Sequence, residues 1–292
     1  MAERSSIIKP MKKHEYKKDH SITAIYIMLS ICALSMILPF MWMLSSSLKT
    51  FEAIFVQPKN WIQMFVPTMF EWKNYVEAVN TVPFGRFYLN SIIVGVAVTL
   101  GQVLTSSFAA YAFSRLVFPG RDKLFFAYLA TMMIPGSVTM IPVYVLMKIF
   151  GWIDSYKVLI IPAMFSAYGT FLLRQFFMTL PKELEDAAKI DGCGYLRIFW
   201  TIILPLSKPA LATLTVFTFM GNWGSFMWPL LVTNTMEMRT LPIGLQSFQS
   251  QYSSQWHLLM AGSIMMMLPM VIIFIFTQRF FVESIKLTGV KG

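Results

Sequence analysis

Long apolar runs alternate along this chain with short polar segments, and the runs have membrane-crossing length. No charged residue occurs from Ser21 to Ser46, a stretch longer than the roughly 20 residues a helix needs to cross a bilayer core. Further runs at 89–113, 124–149, 158–178, 201–231 and 256–278 predict, with 21–46, six transmembrane helices. Span two, 89–113, is rich in small residues, among them Gly95, Gly101, Ser106, Ser107 and Ala110, which let helices approach closely in lipid. Span three, 124–149, holds Pro135-Gly136 and Pro142, so a kink is expected there, either lining a pathway or purely structural.

The polar segments set the orientation. Residues 1–20 form a basic tail with Arg4, Lys9, Lys12, Lys13, Lys17 and Lys18, and basic residues beside a first span stay on the cytoplasmic side. The loop Ser114–Lys123 is also basic and cytoplasmic, as is the tail 279–292 with Arg279, Lys286 and Lys291. Segments 47–88 and 232–255 are charge-balanced or nearly uncharged, and are expected outside, with the turn Gly151–Ser155. The alternation predicts an all-α integral membrane protein with six transmembrane helices and both termini cytoplasmic. The first run is too long for a cleavable signal peptide.

Composition agrees: of 292 residues, 56% are hydrophobic and 13% charged, and mean hydropathy is +0.60, where soluble domains carry about 25% charged residues. The net charge of +10 is spread between spans rather than gathered into an aromatic-interleaved patch, which argues against nucleic acid. Cys32 and Cys193 make no disulfide framework, and His14, His20 and His257 are too scattered for a metal site. No phosphate-cradling G-x-x-x-x-G-K-[ST] loop occurs, so the chain should not hydrolyse ATP, and it is not expected to be an enzyme.

Between spans four and five lies a polar island, 179–200, whose centre runs Pro181 to Gly194. Pro181 suits a first helical turn and Gly192 a left-handed stop. Leu184, Ala187, Ala188 and Asp191 share one narrow face, and Glu185 with Lys189 is spaced for an i, i+4 ion pair. A small, smooth face lets a partner approach the backbone; a surface linker helix with no partner has the same pattern. Residues Phe219 to Pro229 offer aromatic faces and an amide, so Asn222, Trp223, Phe226 and Trp228 are candidates to line a solute path, with ordinary packing as the competing account.

Asp186-Ala187-Ala188, three residues, Gly192, nine residues, then Ile202-Ile203-Leu204-Pro205 resembles the EAA motif of ABC importer permeases, E-A-A-x3-G-x9-I-x-L-P. Asp186 stands where the family has glutamate, keeping the charge with a shorter reach. Trp72 to Tyr75, Leu89-Asn90-Ser91, Ala110 to Arg115, Phe118 to Arg121, Ile141-Pro142 and Gly289 to Gly292 resemble the carbohydrate-uptake branch, similar to the smaller maltose permease subunit. The resemblance implies binding-protein-dependent sugar import across a bacterial or archaeal cytoplasmic membrane, with the island as a coupling helix. Glu183, Asp186, Ala187, Ala188, Asp191 and Gly192 are then the ATPase-coupling residues. The implied partners are a second homologous permease, two ATP-binding subunits that hold ATP and Mg, an extracytoplasmic solute-binding protein facing 232–255, and membrane lipid. The solute expected is a carbohydrate, an oligosaccharide first, with a polyol phosphate as the alternative cargo. An ion-gradient-driven secondary carrier is the competing class; no acidic residue stands at the centre of a span, as such carriers usually require. A non-transporting membrane scaffold is the third.

Overall fold

The computed structural model describes residues 20–57, 60–67, 69–249 and 254–289. The tail 1–19, residues 250–253 and 290–292, and the side chains of 20–21 and 279–289 lie outside the description, so the charges assigned to both tails do too. Regular structure among the described residues is helical apart from one isolated bridge between Gln249 and Ser254.

Helix α1 (His20–Ser47) leads into three short helices, α2 (Phe51–Phe55), α3 (Trp61–Phe65) and α4 (Lys73–Thr81). Thr50 caps α2, its hydroxyl accepting the Ala53 N–H. The central helix is α5 (Phe84–Arg115), 32 residues long. Then come α6 (Arg121–Ala130), α7 (Gly136–Ile149), α8 (Tyr156–Ile160) and α9 (Ala167–Thr179). The island forms α10 (Glu183–Ile190) and α11 (Tyr195–Ile198), which continues through a π-helical turn, Phe199–Ile203, into α12 (Leu204–Leu206). The chain ends with α13 (Lys208–Trp223), α14 (Met227–Val232), α15 (Leu241–Gln246) and α16 (Trp256–Gly289).

Among the described residues, four segments are long and apolar enough to cross a membrane: Ile22–Ser47, Phe84–Arg115, Tyr156–Thr179 and Trp256–Gln278. Two further candidates are broken pairs, Arg121–Met133 with Gly136–Ile149, bent by 100°, and Tyr195–Leu206 with Lys208–Trp223, bent by 79°. The run 124–149, expected to be one kinked helix, is therefore two helices broken at Pro135. Proline disfavours the helical region for its predecessor, and Ile134 is extended (φ −85°, ψ 117°). Pro142 stays inside α7. In the second break Pro205 and Pro209 each remove a backbone donor on either side of Ser207.

Helix α5 is the spine against which α9 and α13 pack, and α16 closes the bundle over α13. Gly169 of α9 lets that crossing close, since a Cβ there would stand 2.6 Å from Ser106 Oγ on α5. Trp223, Phe87, Phe248 and Leu258 fill one end of the core; Leu173, Phe177, Ile198, Phe199 and Leu214 fill the island end. Helix α1 packs on α16 and buries Ser45, Ser46 and Ser47, while every residue from Ile22 to Phe40 is exposed.

At the far end of α5 the segment after α14 is tied into the bundle. The buried Asn90 amide donates to the Glu237 and Arg239 carbonyls (2.7 and 2.8 Å) and accepts from the Tyr156 hydroxyl (2.6 Å). Asp154, at φ 60°, accepts the N–H groups of Asn234 and Thr235 on one oxygen (2.8 and 3.1 Å).

Candidate functional site

The island helix begins at Glu183, so Pro181 sits just outside the first turn, which closes on the Lys182 carbonyl. Three carboxylates, Glu183, Glu185 and Asp186, occupy that turn, and Lys189 the last, each on the side the helix dipole favours. The stop is a Schellman motif: Cys193 N–H donates to the Ala188 carbonyl (2.9 Å) and Gly192 N–H to that of Lys189 (3.0 Å). Gly192 supplies the left-handed residue this closure needs, at φ 79°.

The faces of α10 differ from the expected ones. Glu185 does not pair with Lys189. It is 5% exposed and faces Arg115, at 2.9 Å from Nε to Oε1. Lys189 pairs with Asp186 instead (3.1 Å), and that carboxylate raises the lysine above its ordinary value. Of the expected face Leu184, Ala187, Ala188 and Asp191, only Ala188 is buried; with Glu185 it forms the inward face. Glu183, Asp186, Ala187, Asp191 and Gly192 are exposed together with Ile190, whose side chain stands 87% free. Five of the six island residues singled out in the sequence thus share the free surface, and Ala188 seats the helix.

Arg115 is the hub of that seat. It ends α5, and its Nη2 donates to the carbonyls of Phe177 and Leu180 at the close of α9 (2.5 and 2.7 Å). Carbonyls at a helix end lack the usual i+4 donor, and that of Phe177 also receives the capping N–H of Leu180 (3.1 Å). One guanidinium therefore joins spans two and four to the island. Beside it Arg174 turns inward, donating to the Phe113 carbonyl (3.2 Å) and lying 4.1 Å over the Phe125 ring.

The four solute-path candidates separate. Trp223 is 1% exposed, stacked on Phe219 and donating to the Met266 carbonyl, so it belongs to the core. Asn222 and Trp228 line a cavity of about 360 Å³ between α5, α7 and α13. Phe226 is half-buried and outside that lining. Among the described residues no group of His, Cys, Asp and Glu could hold a metal ion.

Residues 102–287 match the family model described as binding-protein-dependent transport system inner membrane component. The chain is 41% identical over 208 residues to the sn-glycerol-3-phosphate transport system permease protein of Yersinia pestis bv. Antiqua, covering 70% of this chain and 74% of that one. It is 36% identical over 228 residues to the arabinooligosaccharides transport system permease protein of Bacillus subtilis, covering 77% and 81%. In fold it resembles a chain from the crystal structure of a bacterial ABC transporter involved in the import of the acidic polysaccharide alginate. There the TM-score is 0.81 at 24% identity, over 91% of this chain and 99% of the other.

Proposed function

The chain belongs to the family of binding-protein-dependent transport system inner membrane components, and from that premise we propose that it is the permease subunit of an ATP-driven importer for a carbohydrate. It is a multi-pass inner-membrane protein with, in this reading, six spans and both termini cytoplasmic. The helix around 183–192 is a coupling helix that docks in a cleft of a cytosolic ATPase. ATP and Mg are bound by two such ATPase subunits, and this chain hydrolyses nothing. A second homologous permease completes the pathway, and a solute-binding protein delivers cargo at the side where 232–255 lies. The solute path runs past Asn222 and Trp228.

The observation that carries this reading is the construction of α10. Its inward face is locked by Glu185 and Ala188, while Asp186, Ala187, Ile190 and the Gly192 turn are left free. A surface linker has no need of an exposed isoleucine beside small residues and a glycine stop. The test is uptake by proteoliposomes holding the assembled complex, with and without ATP, for the natural chain and for Gly192→Asp. The natural complex should accumulate solute only with ATP, and the variant should insert normally yet lose uptake. Accumulation by this chain alone under a proton or sodium gradient would overturn the reading.

A further inference from the structure

The cavity of about 360 Å³ falls at the low end of the ~300–1,000 Å³ typical of small-molecule sites. Its polar lining comes from six places in the chain: Ser91 on α5, Thr139 on α7, Asn222 on α13, Ser225 in the turn after it, Trp228 on α14 and Thr240 just before α15. Among the described residues, no ionisable side chain lines it. Arg239, next to Thr240, places its Nη1 on the Met236 sulfur (3.1 Å) and lines a different pocket.

Several of these polar groups have unused hydrogen-bonding capacity. Thr240 is 4% exposed and its buried hydroxyl has no partner among the described residues, which is rare for a native polar group unless something else fills the place. The Asn222 amide nitrogen donates to the Thr218 carbonyl (2.9 Å), which leaves its oxygen to accept. Ser91 Oγ accepts the Leu241 N–H (2.8 Å), so its own proton is free to be donated. The Trp228 indole is held by a bond to the Val158 carbonyl (3.1 Å), which fixes the ring.

We infer that this cavity is a subsite for an uncharged, polyhydroxylated solute, a neutral sugar segment rather than a phosphorylated or carboxylated one. The inference rests on the importer reading above and narrows its cargo. Sugar hydroxyls donate and accept at once, matching the mixture of free acceptors and donors, and a sugar face packs on a fixed indole. A phosphate group, with a charge of about −1.5 to −2 at neutral pH, would meet no cation among the described lining residues, and an uncompensated charge in a low-dielectric site is strongly disfavoured. The N-terminus of α7 at Gly136 opens on the same space, but one helix end carries only about half a positive charge.

The test uses the full complex of this chain with its companion permease, ATPase and binding protein in proteoliposomes. The probes are a labelled neutral arabino-oligosaccharide and labelled sn-glycerol 3-phosphate. The neutral probe should be taken up in preference. Thr240→Val and Asn222→Leu should each lower its uptake per ATP hydrolysed about three- to tenfold, the equivalent of about one hydrogen bond. Thr139→Lys, which places a cation in the cavity, should shift the preference toward the phosphate. Co-purification of the ATPase checks assembly; if Asn222→Leu fails it, Thr240→Val, close in shape, and Trp228→Phe carry the test. Preference for the phosphate, or unchanged coupling and selectivity in the assembled variants, overturns the subsite and leaves the importer reading standing. ATP-independent behaviour toward both probes overturns the importer reading itself.

Discussion

Arg115 and Glu185 meet at 2.9 Å where span two, span four and the island converge, with only 3% and 6% of their side chains exposed. The contact is an ion pair rather than an aligned hydrogen bond, since neither Arg115 Nε nor Glu185 Oε1 has a bonded partner. Because Arg115 also holds the end of α9 through Phe177 and Leu180, one side chain ties α10 to both α5 and α9.

That pairing makes the two residues interdependent. Glu185→Gln or Arg115→Met leaves a buried charge alone, which typically costs about 3–5 kcal/mol. Replacing both by Met removes the stranded charge and should restore the melting temperature in detergent. It should not restore uptake per ATP hydrolysed, because the link between α10 and the spans is gone. If the double variant recovers both quantities, the pair is only a packing element.

Ala187 and Ala188 are adjacent and alike in sequence but opposite in setting: Ala187 is exposed and Ala188 is 8% exposed against Ile198 and Phe199. Ala188→Leu overfills the seat, at a typical cost of about 1–3 kcal/mol, and should lower the permease's own melting temperature. Ala187→Trp should leave that temperature unchanged and prevent the ATPase from co-purifying. Identical behaviour of the two variants would mean that the free surface of α10 is not the docking face.

The six-run hydrophobic pattern, the island and its glycine stop were legible in the sequence because each rests on local chemistry: run length, a proline, a residue forced to positive φ. Glu185 was not, since i, i+4 spacing gives it Lys189 and nothing local announces an arginine 70 positions earlier. The signal was three acids in the first turn, two more than the motif needs. The burial of Trp223 was not legible for a related reason. Periodicity in a span apolar on all sides does not say which side faces protein, and its indole turned to the Met266 carbonyl. Pro135 announced a bend, but not its angle of 100°.

Gly169 marks a close approach of α9 to α5. A Cβ there would lie 2.6 Å from Ser106 Oγ and 3.2 Å from a Leu214 methyl. Gly169→Ala should therefore destabilise the bundle by about 1–3 kcal/mol, the usual cost of overpacking. The Ser106 hydroxyl is buried with no hydrogen-bond partner among the described residues, so Ser106→Ala sacrifices little. Combined with Gly169→Ala it should recover most of the lost melting temperature, Leu214 shifting by a few tenths of an ångström. No recovery would place the clash at Leu214 instead.

Asp154 gives the segment after α14 a pH-dependent clasp. Burial pushes its carboxyl up, but the N–H groups of Asn234 and Thr235, with the Thr235 hydroxyl, outweigh that and hold it below its ordinary value. A carboxyl depressed in the folded state contributes stability that is complete above its unfolded value of about 3.9 and is lost as pH falls through the lower folded value. Hydrogen exchange at the Asn234 and Thr235 amides should therefore show constant protection between about pH 5 and 8 and lose it below about pH 4, after correction for intrinsic rates. Asp154→Asn keeps an acceptor and tolerates the residue's φ of 60°, so it should weaken protection throughout and erase the acid step. A step that survives in Asp154→Asn would overturn the assignment to Asp154.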